Sequence, residues 1–410
     1  MVKNVWILNH YAGVPFGSSG GGTRHFSLAR HLPPVGWKAS IITASTVHPS
    51  GRQRTREGGV ATVETIDNAA FLSLPARSYR GNGVDRMLNM FDYTRAALSS
   101  KNLRLLERPD AIIGSSVHPL AAWAGRRLAR RYNVPFLFEV RDLWPETLID
   151  MGRISRNHPA TIVLRALETS LYRSAARIIV LLPSAGDYIE PLGIEREKIV
   201  WVPNGVDVEN FPAYPVKPTP NKFTLMYFGA HGDANGLDNL LQAMAILRDR
   251  PKAGSIRLRL IGDGPLKPDL VELARKLNLP DVSFEPPVAK AAIPKLAAES
   301  DALIFNLIDA PVFRFGISSN KLFDYLAAAR PVIFCCNSSN NPIEEAGAGL
   351  TIPPENPQVL AEAILEMAGL SEAERAAMGA AGRQHLEANY NMKALAAKLA
   401  STLDECVMKR

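Results

Sequence analysis

Cysteine is scarce in this chain: three in 410 residues, Cys335, Cys336 and Cys406. A vicinal pair inside a strand-like run favours buried, reduced thiols and excludes a disulfide framework. No Cys/His spacing matches a zinc site, and no Asp-x-Asp offers paired carboxylates to a divalent ion. No stretch approaches the ~18 consecutive apolar residues of a membrane-spanning helix, and no charged-then-apolar leader opens the chain, so a cytosolic protein is expected. Neither a GxxxxGK[ST] phosphate loop nor a GxGxxG dinucleotide fingerprint occurs, which removes support for an ATPase or a simple dehydrogenase.

Hydrophobic residues make up 47% of the sequence and charged residues 21%, as in an ordinary globular protein. The length exceeds the ~250–300 residues at which one core stops growing, so two domains are expected. Charge is unevenly placed. Residues 1–212 carry 26 Lys and Arg against 18 Asp and Glu, a net +8, whereas the remainder carries 21 against 22, a net −1. Arg24 through Arg56 contains six basic residues and no acid, and Arg126, Arg127, Arg130 and Arg131 form a second cluster. Most such runs are solvated surface. The asymmetry nevertheless favours an anionic partner for the first half: a membrane surface or a phosphate before nucleic acid, because aromatic residues are not interleaved with the basic ones.

Strand-like apolar runs alternate with amphipathic helical stretches throughout. In the first half the strands are expected at 2–9, 39–43, 60–66, 110–115, 134–140, 177–182 and 198–203. Several, such as Ile178-Ile179-Val180-Leu181-Leu182, are apolar at consecutive positions, as parallel strands buried on both faces should be. Residues 212–222 hold four prolines and read as a linker. The alternation then restarts, with strands at 223–229, 256–262, 302–307, 331–335 and 349–352. The pattern predicts an α/β fold of two doubly wound, Rossmann-like domains, 1–211 and 223–385, with strand ends facing a shared cleft. A C-terminal helix over 386–410 is a candidate to pack back on the first domain.

Certain strand ends carry candidate chemistry. Gly20-Gly21-Gly22 follows the first strand and precedes a helix, where bare backbone can approach a ligand or simply turn. Arg24 and His25 open that helix. Ser115-Ser116-Val117-His118-Pro119 and Glu139-Val140-Arg141-Asp142-Leu143-Trp144-Pro145-Glu146 end two further strands. A buried ion pair between Arg141 and an acid is the alternative to a catalytic role there, and a lone His118 is more often incidental. Gly262-Asp263-Gly264 ends another strand in a glycine turn. Gly316-Ile317-Ser318-Ser319-Asn320-Lys321 opens a helix whose free N–H groups welcome an anion. Ser318 or Ser319 is a natural N-cap. Lys321 in the first turn is unfavourable unless an anion offsets it. Asp324, three residues on, could accept from a ribose diol or form a surface pair with Lys321.

Together these motifs resemble glycosyltransferase family four, retaining enzymes of the two-domain GT-B fold. The carrying residues are Gly21-Gly22, Val202–Asp207, Leu260–Pro265, and Asn320-Lys321-Leu322-Phe323-Asp324-Tyr325-Leu326-Ala327 with Arg330-Pro331-Val332. The stretches around Glu139 and Asp324 look most like the WbuB-like branch, associated with N-acetylated deoxyhexoses in O-antigen or capsule assembly. The family's Glu-x(7)-Glu pair falls here on Gly316 and Asp324. Its Arg-x(4)-Lys phosphate clamp falls near Gly229-Ala230-His231-Gly232, where neither cation is present, so Lys321 with Arg314 or Lys290 must supply the positive charge.

The resemblance implies a metal-independent transferase with no cofactor, taking a sugar from a nucleotide-sugar donor, UDP-linked, to an acceptor carried on a polyprenyl diphosphate. Gly21, Gly22, His231, Gly262, Gly264, Lys290, Arg314, Ser319, Asn320, Lys321 and Asp324 are the implied donor contacts. Arg24 and His25 are the acceptor contacts, and His118, Glu139, Arg141, Asp142 and Lys321 the catalytic candidates. An epimerase or hydrolase acting on UDP-N-acetyl sugars, or a non-catalytic nucleotide-binding scaffold at the membrane, are the alternatives. Met87, Leu88, Met90 and Phe91 beside Arg86 and Arg95 form either a core helix or one lying in the interface of the cytosolic inner-membrane face.

Overall fold

Runs that are apolar at every position become central parallel strands, because both faces of such a strand are covered. All six residues of Phe223–Phe228 are buried, as are five of the six in Lys3–Leu8. Around these two strands the chain, as a computed structural model that describes residues 2–14, 23–54, 59–81, 83–116, 118–217, 222–250 and 256–408, forms two Rossmann-like α/β units.

The first unit comprises residues 1–203 and 392–410. Its eight-stranded sheet runs Ile199–Trp201, Arg177–Val180, Phe136–Val140, Ala111–Ser115, Lys3–Leu8, Trp37–Ala44, Ala69–Leu74, Thr62–Ile66. Every neighbouring pair is parallel except the last two, which form a hairpin. Asp67 and Asn68 make its two-residue turn at φ 43° and 69°, values Asp and Asn tolerate. The strand Ala69–Leu74 was not anticipated from the sequence, although this turn announces it. The strand order reverses between Lys3–Leu8 and Ala111–Ser115, and ligand crevices of such sheets open beyond the strand ends at that point.

The second unit, residues 204–391, is an all-parallel six-stranded sheet. Its order is Val282–Glu285, Ile256–Ile261, Phe223–Phe228, Ala302–Asn306, Val332–Cys335, Gly349–Ile352, the 3-2-1-4-5-6 order of dinucleotide-binding folds. The edge strand Val282–Glu285 was also unanticipated; its four half-buried residues give no apolar run.

The division falls after Pro203. The described part of the proline-rich stretch lies along the second unit: Phe211 and Tyr214 carbonyls accept from Arg383 (2.6 Å) and Arg330 (2.5 Å), and Lys217 N–H donates to Ala298 (2.7 Å). The helix expected over 386–410 is Met392–Met408, and a separate helix, Glu372–Asn389, precedes it. They part at Tyr390, whose carbonyl is taken by Val206 N–H at 3.0 Å. The last helix belongs to the first unit, where Met392, Leu395, Leu399 and Leu403 join Val5, Ile7, Leu28 and Trp37 in the core. Asp404 anchors it, accepting from Lys3 Nζ (2.5 Å) and Trp37 Nε1 (3.0 Å).

Candidate active site

In the second unit the loop before helix Asn320–Ala327 is pinned from two sides. Asn340 accepts from Ile317 N–H at 2.8 Å and donates to its carbonyl at 3.1 Å. Asn204 donates its N–H to Ser318 Oγ (2.8 Å) and its side-chain amide to the Ser318 carbonyl (2.6 Å). Ser318 is thereby committed to the loop, and Ser319 takes the N-cap position without a capping side-chain bond. The effect is to present a helix N-terminus in a fixed attitude at the strand ends of its sheet.

Lys321 projects from the first turn of that helix. Its Nζ donates to Asn235 Oδ1 at 2.7 Å and to Tyr227 Oη at 3.1 Å, and sits over the Tyr227 and Phe305 rings at 4.4 and 5.1 Å. Burial lowers its pKa to about 7. Among the described residues no carboxylate pairs with it. Asp324 does not meet Lys321: its buried carboxylate lies 3.1 Å from Lys290 Nζ. Burial raises the Asp324 pKa and Lys290 opposes the rise. Arg314 is exposed against the Phe315 ring at 4.6 Å.

His231 follows the strand Phe223–Phe228 and is fully buried, with neither ring nitrogen hydrogen-bonded among the described residues. Burial, then Lys267, lowers its pKa, so the ring is neutral. Gly262 and Gly264 serve the meeting of strand-end loops. A Cβ on Gly262 would lie 1.9 Å from the Gly229 carbonyl oxygen, and one on Gly264 2.3 Å from that of His231. Sequence reasoning missed Tyr227, Asn235, Asn204 and Asn340. Tyr227 reads as one more apolar strand residue; only the two Asn-Gly pairs, Asn204-Gly205 and Asn235-Gly236, mark turns in the sequence.

In the first unit Gly21 and Gly22 lie outside the described residues, whereas Arg24 and His25 are buried beneath the strand ends. Arg24 Nε donates to Glu139 Oε1 (2.9 Å) and its other nitrogens to the Pro203 (2.5 Å) and Val202 (2.8 Å) carbonyls. Glu139 Oε2 meets His25 Nε2 and Ser115 Oγ, both at 2.7 Å. Asn9 Oδ1 accepts from Tyr11 N–H at 3.1 Å, which turns the Asn9 amide nitrogen toward His25 Nδ1 at 2.8 Å. The His25 proton therefore sits on Nε2, facing Glu139. Burial lowers the His25 pKa against the pull of Glu139. Burial also opposes charge on Glu139, but His25 and Arg24 outweigh it and hold the carboxylate well below its ordinary range. Arg24, His25 and Glu139 thus form one buried network.

His118 precedes helix Pro119–Tyr132, and its Nε2 meets His10 Nδ1 at 2.7 Å. Burial and then Arg86 bring its pKa to about 3, so it is a neutral hydrogen-bonding group, and its buried Nδ1 has no partner among the described residues. His10 lies between the Tyr11 and Tyr93 rings at 4.4 and 4.5 Å. Arg141 is half-buried with its N–H on Ser116 Oγ (3.0 Å), and Asp142 is exposed. Ser115 and Glu139 of the network lie within three residues of His118, Arg141 and Asp142 in the sequence.

A family profile described as a glycosyl transferase 4-like domain matches residues 19–205, and one described as glycosyl transferases group 1 matches 222–369. The chain is 27% identical over 284 residues to a Pseudomonas aeruginosa protein named probable glycosyltransferase WbjE, a match covering 64% of this chain and just under two thirds, 66%, of that protein. The solved structure of HepE from Anabaena in complex with UDP and glucose superposes with a TM-score of 0.66 at 15% identity, over 98% of this chain and 100% of that one. That of WaaG, a glycosyltransferase involved in lipopolysaccharide biosynthesis, gives 0.67 at 16%, over 97% and 99%. At such identities the structures speak for the fold, and the two profiles, one on each Rossmann-like unit, for the family: the chain belongs to the family-four glycosyltransferases of the GT-B fold.

Proposed function

We propose that this chain is a retaining glycosyltransferase of bacterial polysaccharide assembly, of the WbuB-like branch. It takes an N-acetylated deoxyhexose from a UDP-sugar to an acceptor on a polyprenyl diphosphate, without a metal. The observation that carries the donor reading is Lys321: a desolvated ammonium in the first turn of a pinned helix, paired with no carboxylate among the described residues. A donor diphosphate supplies the missing anion, bound by Lys321 and the N–H groups of Ser319 and Asn320. Asp324 accepts from the ribose, and Lys290, 3.1 Å away, favours its charged form against the effect of burial. The name of WbjE and the likeness to WaaG, a lipopolysaccharide enzyme, favour the pathway; HepE, solved with UDP and glucose, favours the nucleotide.

In the reaction the bond from the anomeric carbon to the diphosphate oxygen breaks. The acceptor hydroxyl bonds to the same face of that carbon, and its proton passes to the departing phosphate oxygen. Glu139 is unsuited to form a covalent intermediate, since both its oxygens are held by Arg24, His25 and Ser115. His118, Arg141 and Asp142 then orient the acceptor.

A place at the cytosolic face of the inner membrane fits helix Val84–Ala97. It buries Asn89, Tyr93, Thr94 and Ala97 and leaves Val84, Met87, Leu88 and Phe91 exposed, with Met90 half-buried. Exposed apolar side chains with Arg95 beside them suit an interfacial helix. Among the described residues no helix is long and apolar enough to cross a membrane.

The test is a thermal-shift screen of UDP-, GDP- and ADP-sugars on wild type and Lys321→Ala, followed by transfer assays with and without EDTA. A UDP-sugar should stabilise the wild type and bind Lys321→Ala at least tenfold more weakly, as a charge-assisted contact is worth ~1.5–3 kcal/mol. Equal donor binding by both proteins refutes the phosphate site, and abolition by EDTA with rescue by Mg²⁺ refutes metal independence.

A further inference from the structure

Helix Pro119–Tyr132 contains four arginines and no acid. Against it lies helix Pro159–Ser174, and the two border a cavity of about 810 Å³ lined by Arg126, Arg130, Arg156, Arg165 and Arg173. A second hollow of about 610 Å³ shares Arg126 and Arg130 as its wall. Glu146 supplies negative charge to one end only, pairing with Arg165 and lying 3.7 Å from Arg156. Glu168 on the same helix turns away, accepting from Tyr172 (2.7 Å) and Tyr188 (2.9 Å). Burial pushes its pKa to about 8, so it is uncharged at neutral pH.

Arg126, Arg130 and Arg173 are left without a carboxylate among the described residues. Arg126 is held in place by Ser170, with Nη1 donating to Oγ at 2.6 Å, while its buried Nε has no hydrogen-bond partner among the described residues. Guanidinium groups crowded without counter-charge repel one another, and their planar forks match the oxygens of phosphate. Helix Pro119–Tyr132 starts at His118, beside the strand ends. At ~1.5 Å per residue, Arg126 and Arg130 stand roughly 12 and 18 Å along it. An anion in this cleft is therefore well removed from His118 and the strand ends of its own sheet.

We propose that the cleft of Arg126, Arg130 and Arg173 is a binding site for a phosphate-class anion, carried by an acidic phospholipid headgroup or free in solution. Ile162, which lines the cleft and is 64% accessible, favours the headgroup, since an apolar side chain beside arginines suits the lipid–water boundary. Only this lipid source rests on the membrane placement proposed above; the anion site itself does not.

The test compares wild type, R126Q/R130Q/R173Q, and the charge-matched control R275Q/K276Q/K393Q, whose three sites are exposed in the sequence stretches 275–276 and 393. Circular dichroism confirms folding. One arm measures co-sedimentation with phosphatidylcholine vesicles containing phosphatidylglycerol at low and high salt; the other measures pyrophosphate binding by calorimetry with Lys321→Ala added to every protein, which removes the donor phosphate site. The cleft variant should lose at least tenfold in one arm, in a salt-sensitive manner, while the control loses less than twofold and transfer to a water-soluble acceptor is unchanged. Loss with vesicles alone assigns the headgroup, and loss with pyrophosphate assigns a free phosphate. A cleft variant equal to wild type in both arms, or to the control in both, overturns the site. M87S/F91S tests the membrane placement separately: it should weaken vesicle binding and leave pyrophosphate binding intact. Wild type that ignores vesicles yet loses pyrophosphate binding in the cleft variant refutes the membrane placement and keeps the anion site.

Discussion

Replacing Lys321 with methionine should stabilise the ligand-free protein while disabling it. The ammonium belongs to a group whose ordinary pKa of 10.5 falls to about 7 in the fold. A depressed lysine pKa means the folded state disfavours the charged form. The penalty is nil above pH 10.5, grows as pH falls, and saturates below about 7. At 1.36 kcal/mol per pH unit it approaches about 4 kcal/mol near pH 7.5. Methionine removes it and keeps the apolar stem against Tyr227 and Phe305. The substitution also forfeits the bonds to Asn235 and Tyr227, each worth about 1 kcal/mol net. A gain of about 1–3 kcal/mol remains, or several degrees in Tm for a unit of this size. Calorimetry at pH 7 and pH 10 measures it: the gain should be largest at pH 7 and fade toward pH 10. In parallel the affinity for a UDP-sugar should fall at least tenfold. A variant that is less stable than wild type at both pH values and binds donor equally well would refute the reading of Lys321 as an uncompensated cation awaiting phosphate.

Asp324→Asn should chiefly raise the donor KM with kcat little changed, because a ribose contact is present in ground and transition states alike. Steady-state kinetics that show kcat alone collapsing would move Asp324 into the chemistry. Glu139→Gln should cost about 3–5 kcal/mol in urea denaturation at neutral pH, since it strands the buried Arg24 guanidinium without its counter-charge. The wild-type carboxylate has a folded pKa below its unfolded one, so its contribution is full above the ordinary carboxylate range and is lost as pH falls through the folded value. A neutral-pH loss below about 1 kcal/mol would mean that the Arg24–Glu139–His25 network does not hold the strand ends.

Much of the site's location was legible because strand ends in a doubly wound sheet are marked by where apolar runs stop. Ser115, Val140 and Ile261 each end such a run, and His118, Arg141 and Gly262 follow within three residues. What their side chains meet was not legible. Asp324 three residues from Lys321 looks like its partner on a helical wheel, yet its neighbour is Lys290, 34 positions away in sequence. Glu139 looks like a catalytic candidate and His25 like an acceptor contact, yet they close on each other across 114 residues. Asn204 and Asn340 carry no chemical signature, and their roles exist only because both backbones pass the same loop.

The sequence by itself determined the two α/β units, their parallel sheets and the helix N-terminus at Asn320, because periodicity, glycine turns and capping act over a few neighbouring residues. Only the tertiary structure decided that Lys321 is desolvated with no carboxylate partner among the described residues, that Arg24 and Glu139 neutralise one another beside His25, that the prolines of 212–217 line the second unit, and that the last helix completes the first core. Charge state and partnership are set by which distant segments exclude water from a side chain, and no local pattern encodes that.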